Sequence, residues 1–179
     1  MKTLKEFIEN PEIYCDMDGV LVDLYGGIKK HLRVTKLNQG IMDDFFNSDA
    51  GRSSEFWANC PWESGGKQLW KAIKDFNTNI LSACPSVCNE DRKVIKGKTQ
   101  WCQKNLKINP RKVYIVQRRE KQNFAKDNKI LIDDREILGG QFCKQPLTNE
   151  SAKFDDQVIF GEKLISQVVQ NEVNIFKNT

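Results

Sequence analysis

The sequence predicts an α/β fold built on a mainly parallel sheet, and three observations predict it. Short apolar runs alternate with amphipathic stretches of helical period, which is the pattern of repeated strand–helix–strand units. Three of those runs end in polar side chains: Asp16 and Asp18, Ser82, and Asp133 with Asp134. The chain has 179 residues, with 39% hydrophobic and 29% charged side chains, enough apolar material for one real core.

Leu4, Phe7 and Ile8 fall on one side of a short amphipathic helix that ends at Pro11. The run IYC that follows leads into Asp16-Met17-Asp18-Gly19, a buried strand delivering polar groups into a loop. Residues 24 to about 64 are mixed, with Phe45, Phe46, Phe56, Trp57 and Trp62 among turn formers. Leu69, Ile73 and Phe76 recur at helical spacing after glycines that can start the helix. NTNILSA is the second strand. Residues 91–107 predict an exposed basic helix with Val94, Trp101, Cys102 and Leu106 facing inward. VYIV at 113–116 and KILIDD at 129–134 are the third and fourth strands. A helix over EKLISQVVQNEVNIF closes the chain, with Leu164, Ile165, Val168, Val169 and Phe176 available for packing.

Mean hydropathy is -0.58, and no apolar run approaches the roughly 20 residues of a membrane span. The first ten residues lack an apolar signal segment, so a cytoplasmic location is expected and membrane contact is not. Cys15, Cys60, Cys84, Cys88, Cys102 and Cys143 show no regular spacing, so reduced thiols are expected. Cys84 and Cys88 with a single distant His31 do not make a zinc site. Residues 91–130 hold 13 basic and 3 acidic side chains, while the rest of the chain is acidic on balance. Such a segment is either a solvated helix face or a face that meets an anion.

In parallel sheets the ligand crevice lies beyond the carboxyl ends of the strands, where the three polar strand ends converge. Asp16, Asp18, Asp133 and Asp134 brought together there repel one another. A divalent cation relieves that repulsion, and oxygen ligands without His or Cys point to Mg²⁺. Aspartate is a known nucleophile in enzymes that pass through an aspartyl-phosphate. A phosphoryl group needs donors and a cation on its oxygens, which Ser82 and a lysine of the basic stretch can supply.

Asp16-Met17-Asp18-Gly19-Val20-Leu21-Val22-Asp23 resembles the first motif of the haloacid dehalogenase superfamily, in the form found in 5'(3')-deoxyribonucleotidases. Ile80-Leu81-Ser82-Ala83 is similar to the second motif, and Lys121-Gln122-Asn123-Phe124-Ala125 to the third of short phage and bacterial members. Leu131-Ile132-Asp133-Asp134-Arg135 resembles the fourth, and FWANCPW with the helix after it resembles the segment preceding the second motif. The resemblance spans about residues 12–140. It implies a Rossmann-like doubly wound parallel sheet over 1–23 and 78–179, with a small helical cap at 24–77. It implies Asp16 as the nucleophile and Asp18 as the acid, then base, of an aspartyl-phosphate reaction. Ser82 and Lys121 would hold the phosphoryl oxygens. Mg²⁺ would sit on the Asp16 carboxylate, the Asp18 backbone carbonyl and Asp134, with Asp133 nearby or bound through water. The family usually has an aromatic residue where Leu24 stands, and the tail from Gln141 matches nothing in it.

The expected activity is Mg²⁺-dependent hydrolysis of (deoxy)nucleoside monophosphates in the cytoplasm, of a host cell if the gene is a phage's. Phe56, Trp57 and Trp62 are candidates to stack on the base, against the alternative that they are core. Lys126 and Lys129 are alternatives to Lys121. A nucleic-acid 3'-end phosphatase and a catalytically idle binding module are the competing readings, and a homo-oligomer is left open.

Overall fold

The structure is a computed structural model that describes residues 12–85, 92–124, 129–134 and 156–159. The opening and closing helices expected from the sequence, Cys88, Lys126, Arg135 and Cys143 lie outside these residues.

Five parallel strands form one sheet in the order β3-β2-β1-β4-β5. They are β1 (Glu12–Cys15), β2 (Asn77–Cys84), β3 (Val113–Gln117), β4 (Lys129–Asp133) and β5 (Asp156–Ile159). The first four coincide with the apolar runs. In β5 only Val158 and Ile159 are apolar, too short a run to stand out. The chain steps from β1 out to β3, then returns to the other side of β1 for β4. The strand order therefore reverses between β1 and β4, which is where doubly wound sheets open a crevice.

Four helices stand between β1 and β2: α1 (Leu24–Leu32), α2 (Gln39–Asn47), α3 (Ser54–Ala58) and α4 (Gly66–Ile73). Periodicity marked only α4, although the family resemblance implied a helical segment over 24–77. Helices α1 to α3 have 9, 9 and 5 residues, so the helical period hardly repeats. Their starts are fixed instead by side-chain caps, Asp23 on Gly26, Asn38 on Ile41 and Ser53 on Glu55 and Phe56. Helix α5 (Lys93–Leu106) follows β2.

One hydrophobic cluster joins Ile13, Cys15, Ile80 and Ile132 of the sheet to Val94, Trp101 and Cys102 of α5. The same cluster takes in Ile28, Phe45, Trp57, Leu69 and Ile73 of the inserted helices. Tyr14, Leu81 and Leu131 alternate to the opposite face of the sheet and pack with Tyr114, Val116 and Phe124. Helix α5 lies along α3, and Gly97 lets them approach. A Cβ there would stand 2.7 Å from Trp57 Cβ and run into the Ser54 carbonyl.

No described helix is long and apolar enough to cross a membrane. Cys15, Cys60, Cys84 and Cys102 are buried free thiols. Burial pushes the thiols of Cys60 and Cys102 up to about 12.

Candidate active site

At the end of β1 the Met17 carbonyl accepts N–H groups from Val20, Leu21 and Val22, curling the chain into a tight turn. Gly19 closes that turn with φ +78°, a left-handed conformation that a side chain resists. A Cβ on Gly19 would also overlap the Asp134 carboxylate, so the glycine leaves room for an acid from β4 to approach the β1 loop. The chemistry of the Asp-x-Asp-Gly spacing thus has a steric basis.

Asp16 is buried, and its Oδ1 accepts the Met17 N–H at 2.7 Å. Its Oδ2 lies 2.8 Å from Lys121 Nζ, and the same ammonium is 3.0 Å from Asp133 Oδ2. Lys121 is therefore a buried bridge between the ends of β1 and β4. It is placed by the 3-10 helix Arg118–Phe124, whose start is held by the Gln117 N–H donating to Glu120 Oε2. Lys129 stands at the opposite end of β4, bonded to Tyr14 and Glu12, and takes no part here.

Carboxylate oxygens of Asp16, Asp133 and Asp134 come within 4.8 Å of one another. Two of these residues are buried and one is half-buried, and all offer hard oxygen. Three carboxylates gathered around Lys121 make a hard-oxygen donor set that fits a divalent cation such as Mg²⁺. Asp18, expected to offer the metal its backbone carbonyl, keeps its carboxylate outside this set. Its Oδ2 is instead engaged 2.6 Å from Lys98 Nζ.

Lys98 is the residue that sequence reasoning missed. It is fully buried, and its ammonium donates to Asp18 Oδ2, to Ser82 Oγ at 3.0 Å and to the Ala83 carbonyl at 2.8 Å. Those three bonds use every donor that a lysine has. The Trp57 ring lies 4.9 Å from the same nitrogen. A signal existed: Val94, Lys98, Trp101 and Cys102 recur at helical spacing, so the lysine shares the buried stripe of α5.

The two aspartates differ in electrostatics. Burial alone would push the Asp16 carboxyl up. The charge and hydrogen bond of Lys121, the charge of Lys98 and the Met17 N–H outweigh it and hold Asp16 below the usual carboxylate range. Burial pushes Asp18 up, Lys98 opposes that, the Asp16 charge adds to it, and the carboxyl ends above its usual range. For Lys121 burial works downward, but Asp16 and Asp133 hold the ammonium above its ordinary value. Asp18 Oδ1 is buried and has no hydrogen-bond partner among the described residues.

These groups form the floor of a cleft of about 890 Å³, which Asp16, Asp18, Lys121, Asp133 and Asp134 all line. Its opposite wall is Tyr25 of α1 and Leu37, Gln39, Met42 and Phe46 in and before α2, with Arg118 and Arg119 at the side. Phe56, Trp57 and Trp62, expected to stack on a ligand, do not line it. Trp57 is 2% exposed, donates its indole N–H to the Gly51 carbonyl and belongs to the core. Phe56 packs on Phe45 and Trp57, and Trp62 on Trp101. They hold the inserted helices to the sheet domain, so their apolar area is used in packing. The aromatic residues that do face the cleft are Tyr25, next to Leu24, and Phe46.

No family model matches this sequence. No curated protein matches it either. Among solved structures, a protein described as a haloacid dehalogenase-like hydrolase from Burkholderia xenovorans LB400 aligns with 93% of this chain and 96% of its own. The two share 14% identity, with a TM-score of 0.39.

Proposed function

We propose that this protein is a Mg²⁺-dependent phosphatase that hydrolyses (deoxy)nucleoside monophosphates through an aspartyl-phosphate. The observation that carries the reading is the gathering in one cleft of Asp16 and Asp18, two residues apart on one turn, with Lys121, Asp133 and Asp134. The two turn carboxyls are pushed in opposite directions. A depressed carboxyl is a standing nucleophile and a raised one a proton donor, the division of labour that paired acids show in hydrolases.

In the first step an Asp16 oxygen bonds to phosphorus as the bond from phosphorus to the nucleoside oxygen breaks. Asp18 gives its proton to that leaving oxygen. In the second step water attacks phosphorus, Asp18 takes a proton back, and the bond to Asp16 breaks to release phosphate. Lys121, which lines the cleft, orients the phosphoryl oxygens and offsets their charge, whereas Ser82, expected beside it, is fully buried against Lys98 and does not line the cleft. Asp16, Asp133 and Asp134 would hold Mg²⁺, which when bound supplies Lewis-acid stabilisation of the phosphoryl oxygens. Tyr25 and Phe46 on the far wall offer faces on which a base can stack.

Phosphate release from deoxynucleoside monophosphates should be lost in EDTA and return with Mg²⁺. In the same assay Tyr25→Ala or Phe46→Ala should raise KM for nucleotides roughly 5- to 150-fold, while a small aryl phosphate is nearly unaffected. Full turnover in chelator would remove the metal from the mechanism. Equal losses on both esters would remove the base from the cleft.

The expected pH profile follows from the two directions. Activity rises as pH passes the low Asp16 value, because the nucleophile must be ionised. It falls as pH passes the raised Asp18 value, because the acid must be protonated. The alkaline limb should vanish in Asp18→Asn. A limb that survives that change belongs to another group.

A further inference from the structure

We propose that Lys98 is a positioning residue for Asp18, an inference that rests on the phosphatase reading. Its ammonium is fully buried and ties Oδ2 of Asp18 on the β1 loop to Ser82 Oγ and the Ala83 carbonyl at the end of β2. The lysine is itself immobilised. Its helix is seated against α3 at Gly97, and Trp57 covers its nitrogen at 4.9 Å. A side chain with all three donors satisfied and no exposed surface has one arrangement, so the carboxyl that it grips has one orientation as well. Oδ2 is committed to the lysine and Oδ1 is buried without a hydrogen-bond partner among the described residues, so the carboxyl that lines the cleft is held by Lys98 alone among the described side chains.

Lys98 thus fixes the orientation in which the Asp18 carboxyl meets the leaving group. Lys121 serves the nucleophile and Lys98 serves the acid. Two buried lysines, one from the 3-10 helix after β3 and one from α5, hold two aspartates that are two residues apart. A clamp of this kind matters only for steps that need a proton delivered. A nucleoside alkoxide cannot depart without one, whereas p-nitrophenolate can.

The test compares Lys98→Met on a deoxynucleoside monophosphate and on p-nitrophenyl phosphate, with wild type as control. Wild type inactive on both esters would overturn the phosphatase reading itself. With wild type active, kcat for the nucleotide is expected to fall by about 10²-fold or more with KM little changed. The first turnover of p-nitrophenyl phosphate, read as a burst of nitrophenolate, should fall far less. Equal losses on the two esters, or a loss confined to KM, would overturn the clamp and make Lys98 a phosphate ligand or a purely structural group. In an Asp18→Asn background Lys98→Met should cost nothing further, because the residue it positions is already inert. If the single variant does not fold, that double variant, which removes both members of the buried pair, carries the comparison with Asp18→Asn. A further loss there would also overturn the proposal.

Discussion

Asp16→Asn is expected to lower nucleotide hydrolysis by on the order of 10³-fold or more with the protein still folded. The amide keeps the shape of the carboxyl and an oxygen for the Met17 N–H, so the turn after β1 has no reason to open. It loses the charge that pairs with Lys121 at 2.8 Å, but Lys121 retains Asp133 at 3.0 Å and is not stranded in the interior. What disappears, on the proposed mechanism, is the charged oxygen that bonds to phosphorus. Acid-quenched wild type should carry one phosphoryl group on the peptide containing Asp16, and the variant none. A variant with near-normal kcat would place the nucleophile elsewhere.

The second large effect is on stability. Trp57→Ala should destabilise the fold by about 3–5 kcal/mol, the range for truncating a buried aromatic residue. The indole is 2% exposed and hydrogen-bonded to Gly51. It stacks near Phe46, meets Phe56 edge-on and shields the Lys98 ammonium. Its removal leaves a cavity at the contact between α3 and α5 and uncovers a buried charge. Urea unfolding should show a lower midpoint at unchanged slope. An unchanged midpoint with a raised KM for nucleotides would instead put this ring at the ligand.

How much of this was legible in the sequence varies by element. Strands β1 to β4 were readable because a parallel strand buried on both faces is a continuous apolar run, which few other structures require. Asp16 and Asp133 were readable because they close those runs and so reach the cleft, while Ser82 closes its run without lining it. Helices α1 to α3 were not readable from periodicity, since short capped helices carry their signal in single residues, Asp23, Asn38 and Ser53, that resemble any turn former. The aromatic residues misled for a related reason. Composition says that a tryptophan will be buried against something, and only the packing says whether that something is protein or ligand. Lys98 was hidden by its neighbours: among so many basic side chains over residues 91–107, one inward lysine reads as part of a solvated face.

The inserted segment has two halves with different duties. Helices α3 and α4 contribute Trp57, Leu69 and Ile73 to the common core and no residue to the cleft. Helices α1 and α2 reach that core through Leu24, Ile28 and Phe45 and turn Tyr25, Gln39, Met42 and Phe46 toward the ligand space. The first half of the insert is therefore the exchangeable part. A graft of residues 24–47 that preserves the three anchoring apolar side chains would redraw the recognition wall over an untouched foundation. A graft extending through 54–73 would take the ground from under α5, and with it the lysine that faces Asp18. Diversification of substrate choice in such a molecule has a natural border, and it falls just before Ser53.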